Sequence, residues 1–264
     1  IYANYRPEAE IKLYQIDFPK WGRWPDPVQM VKDIHQAGMR LILWQIPIMK
    51  EYPNGRNQLL DLDKAYAIDH HYVVANPDGS PYYIPEGWFT NALVWDPTNL
   101  EARNWWFAKR QYLNEIGVDG YKTDGGECIF GDDLVFSNGQ TGLAMRNQYP
   151  MSYIRAYHDF TSNNQGITFS RSGYVGAQTV SAHWAGDERS TFSAFRRSIT
   201  AGLNAGLSGV IFWGWDFAGF NGEIPTAELY LRATAMATFI PIMQYHAESK
   251  AQFNQDRTPW NIQA

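Results

Sequence analysis

What most constrains this chain is a unit that recurs along it: a short apolar run closing on a polar or charged residue, then a helix-like stretch, spaced at about 30 residues. Residues 40–47 give the first run, Arg40-Leu41-Ile42-Leu43-Trp44-Gln45-Ile46-Pro47, bounded by Gly38 and Pro47. An apolar run of this length fits a strand covered on both faces of a parallel sheet. Similar runs follow at 117–124, 166–171, 182–187, 209–216 and 240–246. Helical patterns are expected between them, over 27–37, 97–116, 149–161, 191–205 and 227–239. Asp26-Pro27 and Asp96-Pro97 each read as an N-cap followed by proline in the first turn, and Gly38 reads as a helix stop. The stretch of about 49–94 breaks the rhythm. It carries the turn signals Pro53-Asn54-Gly55 and Asn76-Pro77-Asp78-Gly79 and is too long for a plain connection, so a long loop or small subdomain is expected there.

This alternation places the chain in the α/β class with a parallel sheet. A length of 264 residues suits one domain of the (β/α)8 TIM-barrel kind spanning 1–264. Four of the runs end in Asp124, Arg171, Asp187 and Asp216. In a closed barrel the C-terminal strand ends converge on one face, which holds the active site. A doubly wound sheet binding a nucleotide would need a glycine-rich fingerprint or a P-loop, and the sequence has neither. Composition narrows the classes further. The charge of −5, with signs mixed and no Lys/Arg run, argues against nucleic acid or an anionic membrane as partner. No run approaches the roughly 18 apolar residues that a bilayer span requires. Cys128 is the single cysteine and no Cys/His cluster has zinc spacing, so no metal or other cofactor is expected. Ile1-Tyr2-Ala3-Asn4 has no signal-peptide pattern and no initiating methionine; the expectation is a processed or excised piece whose compartment the sequence leaves open.

Three carboxylates at the ends of different strands point to glycoside hydrolysis. That reaction passes through an oxocarbenium-like state and needs one carboxylate at the anomeric carbon and one carboxylic acid at the leaving oxygen, about 5 Å apart in retaining enzymes. The aromatic content of 16%, with 11 Trp and 16 Tyr, fits either a ring-rich core or a sugar site, since aromatic rings offer flat apolar faces with polar tips.

Asp119-Gly120-Tyr121-Lys122-Thr123-Asp124-Gly125-Gly126-Glu127 resembles the nucleophile strand of glycoside hydrolase family 31, and Lys two residues before the Asp is similar to its α-xylosidase-like branch. Ser170-Arg171-Ser172-Gly173 through His183-Trp184-Ala185-Gly186-Asp187 resembles the family's acid/base region. Residues 212–220 resemble its next barrel strand, and Phe239-Ile240-Pro241-Ile242-Met243-Gln244-Tyr245-His246 the strand carrying its substrate histidine. Trp24-Pro25-Asp26-Pro27 and Leu43-Trp44-Gln45-Ile46-Pro47 match earlier barrel segments. The matches run in order along nearly the whole chain. The resemblance implies Asp124 as nucleophile and Asp187 as general acid/base, the latter kept protonated by partial burial and a neighbouring negative charge. It implies sugar-binding roles for Lys122, Arg171 and His246; alternation along the strand puts Lys122 on the same side as Asp124, where it would also favour an ionised nucleophile. Trp44, Trp184, Trp213 and Asp216 are further candidates for substrate contact. Glu127 and Asp96 read as structural, and nothing places Asp17 at the site.

Family members are much longer, with flanking β-domains and a complete barrel. The expectation is therefore an incomplete barrel lacking the first strands, with exposed edges and low stability when isolated. The absent part normally supplies an aspartate for the sugar's outer hydroxyls, and Gly125-Gly126 stands where relatives have bulkier residues, so the substrate is less defined than the chemistry. The leading reading is a retaining exo-acting α-glycosidase, α-glucosidase-like, with an oligosaccharide or α-glycoside as partner; a homo-oligomer formed through absent parts is compatible. The same site could act as an α-xylosidase, an α-galactosidase-type enzyme or a transglycosylase. A non-catalytic carbohydrate-binding protein and a metal-dependent barrel hydrolase are the readings from other classes.

Overall fold

The computed structural model describes residues 24–50, 58–163, 165–248 and 256–262; Asp17 lies outside them. The chain divides into two compact units, Ile1–Thr168 with Ser172–Tyr174, and Phe169–Arg171 with Val175–Ala264. Each has its own buried apolar cluster.

In the first unit, helix α1 (Pro27–Gln36) starts as the sequence indicates, with the Asp26 carboxylate accepting from the Gln29 N–H at 2.9 Å. Strand β1 is confined to Ile42–Gln45, shorter than the apolar run, because Ile46 and Pro47 already turn into the next segment. In the stretch after it, a two-residue antiparallel pair joins β2 (Ile48–Met49) to β3 (Leu93–Val94), and helix α2 (Gln58–Asp69) lies between them in sequence. A buried ion pair, Lys109 Nζ to Asp63 Oδ1 at 2.6 Å, tethers α2 to the chain beyond β3.

The helix expected over 97–116 is instead two, α3 (Leu100–Ala108) and α4 (Gln111–Glu115). Asn99 caps α3, accepting from the N–H groups of Glu101 and Ala102. Asp96 cannot do so, because its carboxylate already takes the Thr98 N–H and hydroxyl and the Ser137 N–H. Strand β4 (Gly120–Thr123) pairs in parallel with β1 in the register Trp44↔Lys122. At its start, Asp119 binds His35, Arg40 and the Leu41 N–H, all within 2.8 Å, fixing β4 against α1 and β1. Gly120 is required there: a Cβ would sit 2.0 Å from the Ile167 carbonyl oxygen. Helix α5 (Gly142–Ser162) begins seven residues before the pattern at 149–161 and runs through Pro150.

Strand β5 (Ile167–Ser170) has its first two residues in the first unit and its last two in the second. The second unit continues with β6 (Ala182–Trp184), helix α6 (Phe192–Leu207), β7 (Trp213–Asp216), helix α7 (Ala227–Ala237), β8 (Ile242–Gln244) and a short helix α8 (Pro259–Ile262). The pairs β5–β6, β6–β7 and β7–β8 are all parallel. Threonines cap the two longer helices, with Thr191 accepting from the Ala194 N–H and Thr226 from the Leu229 N–H. As with β1, the strands are shorter than their apolar runs: Val210 to Phe212 and Ile240 to Pro241 lead into β7 and β8 without joining them. Among the described residues no helix is long and apolar enough to cross a membrane.

Candidate active site

Asp124 stands one residue beyond β4, its backbone N–H bonded to the Gln45 carbonyl at 2.8 Å. Burial alternates just before it: Tyr121 and Thr123 are fully buried, while Lys122 and Asp124 are half-buried, so these two share a side as expected. The Asp124 carboxylate is held by both oxygens. Oδ1 accepts from the Gly125 N–H at 2.8 Å, and Oδ2 from the Trp44 indole N–H at 2.7 Å. Gly125 and Gly126 have φ of +73° and +101°, a left-handed turn that side chains resist. A Cβ on Gly126 would also lie 2.5 Å from the Ser172 hydroxyl. This turn folds the chain back so that the Gly125 N–H faces the carboxylate.

Helix α5 braces the turn with Tyr149, Tyr153 and Tyr157, spaced by four on one buried face. The Tyr153 hydroxyl shares its one proton between the carbonyl oxygens of Asp124 (3.1 Å) and Gln45 (3.2 Å). The Tyr157 hydroxyl donates to Gln45 Oε1, and Tyr149 to the Trp95 carbonyl. Burial pushes all three phenols up, so they remain neutral donors. Beside the carboxylate, Trp44 and Trp88 form a tilted pair, ring centroids 6.4 Å apart, each about half exposed (47% and 51%).

In the second unit, Asp187 lies on the loop after β6. Its side chain is 47% exposed, and Arg171 Nη1 approaches Oδ2 to 4.0 Å. Gly186, φ +103°, turns the chain beside the Arg171 stem. The loop is tied to residues 219–222 through backbone groups. Glu188 O accepts from the N–H groups of Phe220 and Asn221, the Ser190 N–H returns to Asn221 O, and Asn221 Nδ2 donates to Asp187 O at 3.2 Å. Arg257 closes the arrangement, donating to the Ser190 hydroxyl and to the carbonyls of Gly219 and Gly222. The neighbouring carboxyl group of Asp187 is that of Glu188. Burial, with Asp187 beside it, pushes the Glu188 carboxyl up to about 7.

The remaining candidates divide by environment. His246 packs on the Phe220 ring at 4.8 Å, next to the Asp187 loop. Trp184 is buried against Phe169. Trp213 faces α6, so closely that a Cβ on Gly202 would lie 2.5 Å from its ring. Asp216 is fully buried and accepts from the Gln244 amide. The structure thus brings Trp44, Lys122 and Asp124 together in one unit and Arg171 and Asp187 together in the other. It sets Trp184, Trp213 and Asp216 in packed surroundings. Sequence reasoning misses Trp88, Tyr153, Asn221 and Arg257. Only Tyr153 has a readable signal, the tyrosine spacing of four; the other three meet their partners through the fold alone.

Comparison with known proteins identifies the family. Residues 9–264 match the profile of the glycosyl hydrolases family 31 TIM-barrel domain. The chain is 49% identical to an isomaltosyltransferase of Sporosarcina globispora, over 99% of its own length and 25% of the relative's. It is 45% identical to a 1,3-alpha-isomaltosidase of Kribbella flavida, over 99% of its length and 37% of the relative's. Among solved structures, a cycloalternan-degrading enzyme of Trueperella pyogenes in complex with cycloalternan matches with a TM-score of 0.91 at 44% identity, covering 98% of this chain and 36% of that one. The same enzyme in complex with a covalent intermediate matches with a TM-score of 0.90 at 45% identity, with the same coverage. The chain therefore spans between a quarter and two fifths of the length of these relatives.

Proposed function

The chain belongs to glycoside hydrolase family 31, and from that premise we propose that it carries the retaining active site of an exo-acting α-glycosidase or transglycosylase working on terminal α-isomaltosyl units. The observation that carries this reading is the Asp124 carboxylate, fixed at a strand end by one N–H on each oxygen. Asp124 attacks the anomeric carbon as the bond to the leaving sugar breaks, and Asp187 passes its proton to the leaving oxygen. In the second half, Asp187 takes a proton from an incoming hydroxyl. The freed oxygen bonds to the anomeric carbon, and Asp124 leaves as a carboxylate. Lys122, Arg171 and His246 hold sugar hydroxyls, while Trp184, Trp213 and Asp216 support the strand ends from within.

The isomaltosyl unit is favoured over a single α-glucosyl or α-xylosyl unit because the relatives at 49% and 45% identity bear isomaltosyl names. The first of these is a transferase, which favours the second reading: a sugar hydroxyl in place of water gives transfer by the same carboxylates. Aryl α-isomaltoside, α-glucoside and α-xyloside assayed with the full-length protein separate the substrates, and product analysis at high substrate concentration separates hydrolysis from transfer. Asp124→Ala is expected to lose turnover on all three; more than a trace of remaining activity would overturn the assignment.

A further inference from the structure

We infer that Trp88, together with Trp44, forms an aromatic wall that holds the second sugar of the glycone, the unit beyond the one bonded to Asp124, and so makes the site select a disaccharide. The inference rests on the isomaltosyl reading above and names the residue that would enforce it. Trp88 is half exposed, large and apolar, and its exposure needs explaining in a segment otherwise so firmly anchored. Phe89 packs on the buried cluster of the first unit and has the Lys50 ammonium 5.5 Å from its ring centroid. Phe89 and Asn91 both sit at positive φ, +64° and +63°, a conformation that costs a non-glycine residue about 1 kcal/mol or more. The strain is held by hydrogen bonds on either side: Asn91 N–H to Ile84 O, Ala92 N–H to Phe89 O, and the Thr90 hydroxyl to Gly87 O. The segment is thus fixed with Phe89 turned inward and Trp88 turned out, 4.2 Å between their ring centroids.

Trp88 is directed to the nucleophile. Its ring edge is 3.7 Å from where a Gly125 Cβ would stand, and its centroid is 6.4 Å from that of Trp44, whose N–H holds Asp124. The two rings meet at 56°, an open corner rather than a closed stack, which leaves ring surface for a pyranose face. Gly125 keeps the approach clear, since any side chain there would fill the space against Trp88. Trp44, Trp88 and Asp124 all belong to one unit of the chain, and the isomaltosyl reading is what requires a second sugar on the glycone side.

The test is the ratio of kcat/KM on aryl α-isomaltoside to that on aryl α-glucoside, two substrates with the same leaving group that differ by the second sugar. A ratio of one or below in the wild-type full-length protein would count against the isomaltosyl reading itself. Given a wild-type preference, Trp88→Ala is expected to lower the ratio by about 10- to 100-fold, the effect of losing one large apolar contact. Trp88→Phe, which keeps a flat face, should restore part of it. Because the ratio is independent of how much enzyme is folded, a Trp88→Ala ratio within about twofold of wild type would overturn the inference.

Discussion

Glu188, next in sequence to the proposed acid/base, gives the sharpest quantitative expectation. Its carboxyl is raised from the ordinary 4.5 to about 7, first by burial and then by the neighbouring Asp187. Its Oε2 is buried with no hydrogen-bond partner among the described residues, which favours the neutral form. The folded protein therefore keeps a proton on Glu188 that the unfolded chain releases at lower pH. Stability from this group is full below about 4.5 and is lost as pH rises through about 7. At about 1.4 kcal/mol per pH unit, the interval amounts to at most ~3.5 kcal/mol. Glu188→Gln replaces the acid by a permanently neutral side chain of the same shape and should remove this dependence. Urea unfolding of the full-length wild type and variant, followed by tryptophan fluorescence at pH 5 and pH 8, measures it. Between those pH values the wild type should lose up to ~2.5 kcal/mol more than the variant, with the variant relatively better at pH 8. Parallel losses in the two proteins would show that Glu188 does not hold its proton in the folded state.

Two further substitutions probe the two carboxylates' supports. Gly219→Ala places a Cβ 2.6 Å from the Ser190 backbone at φ +104°, and a loss of about 2 kcal/mol or more is expected from the combined clash and strain; an unchanged melting temperature would contradict the tight packing of the Asp187 loop. Trp44→Phe keeps a ring but removes the 2.7 Å indole N–H bond to Asp124, so kcat/KM on an aryl substrate should fall by roughly 10- to 100-fold, the worth of a hydrogen bond to a carboxylate; wild-type kinetics would remove Trp44 from the nucleophile's support.

The parallel strands are legible in the sequence because a strand covered on both faces must be apolar nearly throughout. Their length is overstated there, since Ile46 and Val210 are apolar for packing rather than for pairing. Asp96 reads as a helix cap because Asp-Pro has the right local chemistry; its carboxylate is taken by Thr98 and by Ser137, 41 residues away, and Asn99 caps the helix instead. The early start of α5 is hidden by Pro150, which reads as a first-turn residue yet lies nine positions into the helix. At the site, Asp124, Lys122 and Asp187 are readable because strand-end carboxylates with this patterning resemble a known family. Their supports are not. The Trp44 indole meets Asp124 from 80 residues away, and Arg257 meets Ser190 from 67, separations that no local pattern records.

The two proposed catalytic carboxylates are positioned by different means, and this bears on how selectivity can vary. Asp124 is set by rigid elements: paired strands β1 and β4, a left-handed glycine turn and the buried tyrosine face of α5. Asp187 is set by a loop whose backbone is hydrogen-bonded to another loop and latched by one arginine. Trp88 touches the first arrangement at Trp44 and Gly125. The segment that presents it lies in the stretch between β2 and β3, an excursion from the strand–helix repeat. Double displacement needs only the two carboxylates to stay in place. On the proposed reading, the number of sugars bound is set by a segment anchored at Phe89 and displayed at Trp88, apart from the groups that carry the chemistry.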